Sequence, residues 1–119
     1  MNVGIGDIAY CLGSDRLSNA ELQVHNPHWD MDLIFERTGV TSRPIAAPAE
    51  TSLDLGDKAA TALLEKMDMS GDQIDALIFC TQTPDHVLPP NSVLLHGRLG
   101  LPQCVMTFDI MHACSGFIY

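Results

Sequence analysis

Apolar and polar positions change their period several times along this chain, and the order of the changes predicts alternating strands and helices. "VGIGDIAYCL" (residues 3–12) has the pattern of a short, glycine-bearing strand. "SNAELQVH" predicts a helix opened by a capping box, in which Ser18 caps the backbone and Glu21, three residues on, reaches back. Pro27 interrupts. "WDMDLIFERTG" predicts a second short helix, with acids near its start, Arg37 in its last turn and Gly39 as its stop. "TSRPIAA" is a weak extended segment, placed at an edge by its proline.

The strongest period lies in "TSLDLGDKAATALLEKM". Leu55, Ala59, Leu63 and Met67 recur every fourth residue, and Gly56, Ala60 and Leu64 form the neighbouring row. The small residues in these rows predict close packing against a sheet. "SGDQ" reads as a turn and "DALIFCTQ" as a buried strand. "TPDHVLPP" must be a loop, because its three prolines cannot donate to a ladder or a helix. Pro90 suits the first turn of a helix through "NSVLLHGRLG", ended by Gly100, and "CVMTFDI" is the last strand. The alternation predicts an α/β fold, a mainly parallel sheet with helices packed on it. No internal repeat or low-complexity linker divides the chain.

Composition narrows the functions. The 119 residues suit one small domain, and 46% hydrophobic with 18% charged residues is a globular balance. Six basic side chains against fifteen acidic ones give a net charge of −9, which argues against nucleic acid or an anionic membrane as partner. No apolar run approaches the roughly 20 residues of a membrane span, and the N-terminus lacks the basic start of a secretion signal. Cys11, Cys80, Cys104 and Cys114 form no C-x-x-C pair, so reduced thiols in a cytoplasm are expected rather than a disulfide framework. The dispersed histidines argue against a metal site.

Chemistry concentrates in "FDIMHACSGFIY". Cys114 follows directly on a strand, where reactive groups of open α/β sheets gather. Ala113, Ser115 and Gly116 around it leave room for an approaching molecule. A helix beginning here would favour thiolate over thiol, and its amides could hold the oxyanion of an attacked thioester. The plain alternative is a buried cysteine acting as a small hydrophobe.

This stretch resembles the nucleophile segment of the β-ketoacyl-acyl carrier protein synthase III family, thiolase-fold condensing enzymes. "LSNAEL" is similar to the family's "TNADL", and "FERTGVTSRPIAAPAETSLDLG" to its "RTGI…R…IA…ETSSDLG" block. "ALIFCTQTPDHVLPPNS" resembles the strand, T-P-D loop and proline that follow there. The resemblance runs in order from near residue 4 to residue 119.

The resemblance implies a five-layered fold of two similar halves, usually dimeric, with residues 1–119 forming the N-terminal half. The chain is then cut about one turn into the nucleophile helix, and the C-terminal half is absent. It also implies that Cys114 takes an acyl group from coenzyme A or acyl carrier protein and condenses it with a malonyl thioester, with no permanently bound cofactor. The family's partner histidine and asparagine fall beyond Tyr119, and none of His25, His28, His86, His96 or His112 matches that histidine. Residues 1–119 alone are therefore expected to lack condensing activity.

Arg37 matches an arginine used beside the coenzyme A nucleotide; its other reading is a cation at a helix C-terminus. Leu33 stands where many relatives carry a tryptophan that stacks on adenine. Trp29, one helical turn earlier, is either a replacement ring or a core anchor. Leu88 stands where the family often has phenylalanine at a loop tip that reaches the partner subunit's acyl pocket, which implies a pocket of different shape. These departures point to a specialised relative, in secondary metabolism such as polyketide formation more than in primary fatty acid biosynthesis. Two alternatives stay open: an acyltransferase that makes esters or amides without condensation, and a non-catalytic subunit that binds a partner half.

Overall fold

A computed structural model of the protein describes residues 4–119. They form two compact units: Leu12–Glu50, and the residues up to Cys11 together with Thr51–Tyr119.

In the Leu12–Glu50 unit, β1 (Asp15–Ser18) leads into α1 (Asn19–His25), followed by α2 (Met31–Thr38) and β2 (Ser42–Ile45). The expected capping box is present: the Glu21 amide donates to Ser18 Oγ at 3.2 Å, and the Ser18 amide donates to Glu21 Oε2 at 2.8 Å. Asp30 caps α2 by accepting from the Leu33 amide at 2.9 Å, and Gly39, at φ 69°, takes the left-handed turn that ends it. β1 and β2 pair antiparallel, from Asp15 opposite Ile45 to Ser18 opposite Ser42. β1 carries no apolar alternation, since Leu17 is the one apolar residue of its four, and so the sequence offers no strand signal there.

The other unit carries the parallel sheet. α3 (Ser52–Met67) begins with a capping box between Thr51 and Asp54 and ends at Asp68, at φ 51°. A 3-10 turn over Gly71–Gln73 leads into β3 (Ala76–Cys80); a loop, α4 (Asn91–Arg98) and β4 (Met106–Ile110) follow. β3 and β4 are parallel neighbours, Ala76 opposite Met106 through Cys80 opposite Ile110, with α4 as their crossover. Pro90 is the N-cap of α4 rather than its first helical residue, and Gly100, at φ 61°, follows its end.

Leu53, Phe79 and Leu95 form the core here, with Ala60, Leu77, Leu94 and Leu99 against them. Burying each large apolar side chain contributes about 1.5–3 kcal/mol. The expected close helix–sheet approach is found at Gly56, where an added Cβ would come within 2.7 Å of Phe79 Cε2. The pleat turns Ile78, Met106 and Phe108 to the opposite face, where they are exposed.

The strand expected in "VGIGDIAYCL" does not form over Gly4–Leu12; Val3 lies outside the described residues. Ile5, Ile8, Tyr10 and Leu12 are exposed, and among the described residues no neighbouring strand supplies the ladder that such a segment needs. Among the same residues, no helix is long and apolar enough to cross a membrane.

α3 and α4 are also joined electrostatically, since Arg98 Nη1 lies 2.7 Å from Asp54 Oδ1 and 3.6 Å from Asp57 Oδ2. The hydrogen bond from Arg98, followed by those from Thr51, holds the Asp54 carboxyl at about 2, below its ordinary 3.8. A carboxylate depressed in the folded state stabilises above its unfolded value and loses that contribution as pH falls through its folded value. Stability measured by urea midpoint should therefore decline from about pH 3.8 toward 2. Asp54→Asn should flatten the decline in that window, and salt should weaken the whole effect because the pair is exposed. An unchanged slope in Asp54→Asn would show that other carboxylates carry the acid response.

Candidate active site

The C-terminal ends of β3 and β4 lead to the Cys114 segment that the sequence singled out. Pairing continues one residue past β3, where the Thr81 amide donates to the Ile110 carbonyl at 3.1 Å. After β4, Met111–Ala113 lead into a 3-10 turn over Cys114–Phe117, closed by the Gly116 amide donating to the Ala113 carbonyl at 2.9 Å. Cys114 is exposed on this turn. The one turn of helix expected at the cysteine is this four-residue 3-10 turn.

Gly116 is the buried residue of the turn. A Cβ there would overlap Cys80 Sγ and lie 3.1 Å from His112 Cβ. Cys80 Sγ in turn donates to the His112 carbonyl at 3.4 Å, which ties the end of β3 to the approach to Cys114. The His112 ring packs on Tyr119, with centroids 5.2 Å apart.

A buried polar network fixes the elements around this edge. Asp109 on β4 accepts the first two amides of α4, from Asn91 at 3.0 Å and Ser92 at 2.8 Å. It thereby performs the capping that Pro90 cannot. Asp85 Oδ1 accepts from the Leu53 amide at 3.2 Å and lies 2.9 Å from Ser52 Oγ, which is also 2.9 Å from the Thr83 carbonyl. Asn91 Nδ2 donates to Ser52 Oγ at 3.1 Å and to Asp85 Oδ1 at 3.2 Å. Burial pushes the Asp85 carboxyl up, but the hydrogen bonds from Thr51, Ser52, Leu53 and Asn91 outweigh it and hold the group below its ordinary value.

The sequence reading passed over Asp85, Asn91 and Asp109 as site-building residues. Two signals were available: an acid inside the apolar strand "TFDI", and a helix start that offers proline where a capping side chain belongs.

Leu88 stands on the loop between β3 and α4 and is 80% exposed. Arg37 and Trp29 belong to the other unit. Arg37 lies exposed in the last turn of α2, and among the described residues its guanidinium has no hydrogen bond or ion pair. Trp29 is not on the helix, because Asp30 caps α2 and Met31 opens it. The ring expected one turn before Leu33 is instead in the preceding turn, where the Trp29 amide donates to the Asn26 carbonyl at 3.0 Å. Its side is half-exposed rather than anchored in a core. Among the described residues, no group of three or more His, Cys, Asp or Glu side chains is placed to hold a metal ion.

Comparison with known proteins gives this geometry a family. No sequence-family profile matches the chain. A 3-oxoacyl-acyl carrier protein synthase III crystal structure superposes on 95% of it with a TM-score of 0.84 at 41% identity, covering 34% of that chain. The synthase III of Thermus thermophilus covers 98% of it with a TM-score of 0.85 at 30% identity, over 36% of its own length. The fold is the thiolase-type α/β fold of condensing enzymes.

Its relatives in sequence agree. The β-ketoacyl-acyl carrier protein synthase III of Alkalilimnicola ehrlichii is 46% identical over 86 residues, 72% of this chain and 27% of that protein. That of Chlamydia caviae is 40% identical over 103 residues, 87% of this chain and 30% of its own. The chain belongs to the β-ketoacyl-acyl carrier protein synthase III family, and it spans about a third of the length of these relatives.

Proposed function

We propose that the protein carrying this chain is a synthase III-type acyltransferase with Cys114 as its nucleophile. The observation that carries this reading is the exposed Cys114 on a tight turn at the C-terminal edge of the β3–β4 pair, with the glycine beside it packed into Cys80. In the first step the Cys114 thiolate attacks the carbonyl of an acyl thioester. The new carbon–sulfur bond forms as the donor's breaks, and the donor thiolate leaves and takes up a proton. In the second, a malonyl thioester loses carbon dioxide, and the resulting enolate carbon attacks the acyl-enzyme and expels the Cys114 thiolate. We assign the stabilisation of the enolate to no residue of this chain. The product is a ketoacyl thioester, and acyl carrier protein, named in its relatives, is the carrier we assign to it.

The test is incubation with acyl-coenzyme A, followed by mass mapping after cleavage before Asp109, which separates Cys114 from Cys104. The acyl group should be found on Cys114, and it should protect that thiol from alkylation. Acyl label on another cysteine would overturn the assignment. Acyl-Cys114 that passes its group to an alcohol or amine, with no malonyl-dependent product, would instead identify an ester- or amide-forming enzyme.

We assign coenzyme A as the donor, with Arg37 meeting its phosphates through a guanidinium that nothing in the described residues occupies. Arg37→Ala should raise KM about tenfold for acyl-coenzyme A, the scale of one lost charge-assisted hydrogen bond. It should leave a short thioester lacking the nucleotide unchanged. Equal effects on the two donors would make Arg37 a structural cation of α2. Leu33→Trp should tighten coenzyme A binding, because it places a ring at the position where many relatives carry one.

A further inference from the structure

Between α3, the start of β3 and the residues that follow α4 lies a cavity of about 130 Å³. Ala60, Leu63 and Leu64 of α3 form one side, Leu77 of β3 a second, and Leu99 with Leu101 a third. Among the described residues, every side chain that lines it is aliphatic. A water molecule held in such a space needs about two to four polar partners, and none of these side chains offers one. Bonds outside the cavity hold its walls apart. The Leu99 amide donates to the Leu95 carbonyl at 2.9 Å, and the Leu101 amide to the His96 carbonyl at 3.1 Å. His96 Nε2 donates to the Pro102 carbonyl at 2.9 Å, and a Cβ on Gly71 would lie only 3.1 Å from Leu101 Cδ2. Leu99 and Leu101 are therefore fixed in place, and packing around such a void relaxes only in part. The space is preformed.

It also has an entrance. Leu64 and Leu99 border a wider cleft at the end of α3, and that cleft carries Glu65 and Asp68. Ile74 and Ala76 place the cavity at the N-terminal end of β3. The strand runs from Ala76 to Cys80 at about 3.3 Å per residue, so roughly 13 Å separates the cavity from the end that meets the Cys114 turn.

We propose that this cavity is a binding site for a small, uncharged, apolar molecule the size of one hydrocarbon ring, separate from the acyl-transfer site. An aliphatic cavity of about 150 Å³ stays dry and takes up benzene, so the volume here suits a ligand of that size. Filling a dry space restores dispersion contacts that its lining lacks. A carboxylate would lose its hydration among the aliphatic side chains and meet Glu65 and Asp68 at the entrance, so acids are disfavoured. The site does not depend on the role of Cys114.

The test uses the protein carrying this chain, with benzene as the probe. Benzene at about ten times its Kd should raise the melting temperature by about 2–5 °C, and calorimetry should show saturation. Methyl shifts in carbon NMR spectra should centre on Leu63, Leu77, Leu99 and Leu101. Benzoate should bind about tenfold more weakly than benzene, or worse. Ala60→Leu puts a larger side chain into the space and should weaken benzene by about tenfold or more. If that variant does not fold, Leu63→Ala carries the test by widening the cavity. Butylbenzene, too long for the unaltered space, should then gain about tenfold in affinity. Absence of saturable binding, shifts centred on other residues, or benzoate binding as tightly as benzene would each overturn the proposal. So would unchanged benzene affinity in folded Ala60→Leu, or unchanged butylbenzene affinity in Leu63→Ala.

Discussion

Replacing Cys114 with alanine is expected to abolish acyl transfer by the protein carrying this chain, with kcat down by roughly 10⁴-fold or more, the range seen when a covalent nucleophile is removed. The thioester carbonyl then has no sulfur to attack it, and the remaining groups of the turn are backbone and an exposed serine side chain. Cys114→Ser should fare little better. Its hydroxyl stays protonated near neutral pH, and a serine needs a base in hydrogen-bond reach to become a nucleophile. Cys104→Ala and Cys11→Ala should retain turnover and acyl loading. Steady-state rates and intact mass check all four variants, and acyl loading that survives in Cys114→Ala would move the nucleophile elsewhere.

Gly116→Ala should be the most damaging change that leaves the cysteine itself in place. The new methyl would overlap Cys80 Sγ and press on His112 Cβ at 3.1 Å, so the turn bearing Cys114 has to shift. Overpacking of this kind costs about 1–3 kcal/mol, and here the strain falls on the residue two positions from the sulfur. We expect a lower melting temperature and slower alkylation of Cys114 together. Cys80→Ala in the same chain removes the overlapping sulfur and leaves the residue 80 Cβ at 3.7 Å, an ordinary contact, and the tighter His112 Cβ at 3.1 Å. The double variant should therefore regain most of the stability and reactivity. A coupling of about 0.5–3 kcal/mol in a double-mutant cycle is the expected signature. Strict additivity of the two changes would mean that Gly116 is needed for some other reason than its contact with Cys80.

Local signals wrote most of the elements into the sequence. Ser18 and Glu21 met as a capping box because both partners lie within one turn. Gly39 ended α2 because a left-handed position selects glycine. The Gly56–Ala60 row of α3 found the core because its period is that of a helix face, and Gly56 met Phe79 because only a bare backbone fits there, whereas Met67 of the neighbouring row is exposed. The strand, loop, helix and strand order from Ala76 to Ile110 followed from prolines and apolar runs. Likewise Cys114 stood out because small residues follow a strand, a feature of adjacent positions.

Other features could be decided only once distant residues were brought together. The alternation in "VGIGDIAYCL" promised a strand, but a strand exists only where another edge offers hydrogen bonds, and among the described residues none does. β1, by contrast, formed from a polar segment because β2 lay beside it. Trp29 was placed on a helix by spacing, yet Asp30 captured the Leu33 amide and started the helix after it. Capping is a competition among neighbours that spacing alone does not resolve. The Asp85–Asn91–Asp109 network joins residues up to 24 positions apart, and no local pattern announces such partners. The sequence by itself determined most of the elements and singled out Cys114 as the candidate nucleophile, because those depend on neighbouring residues. Tertiary structure decided which buried groups satisfy one another, and with them where the loop carrying Leu88 is held, because desolvated polar groups take their partners from wherever the fold brings them.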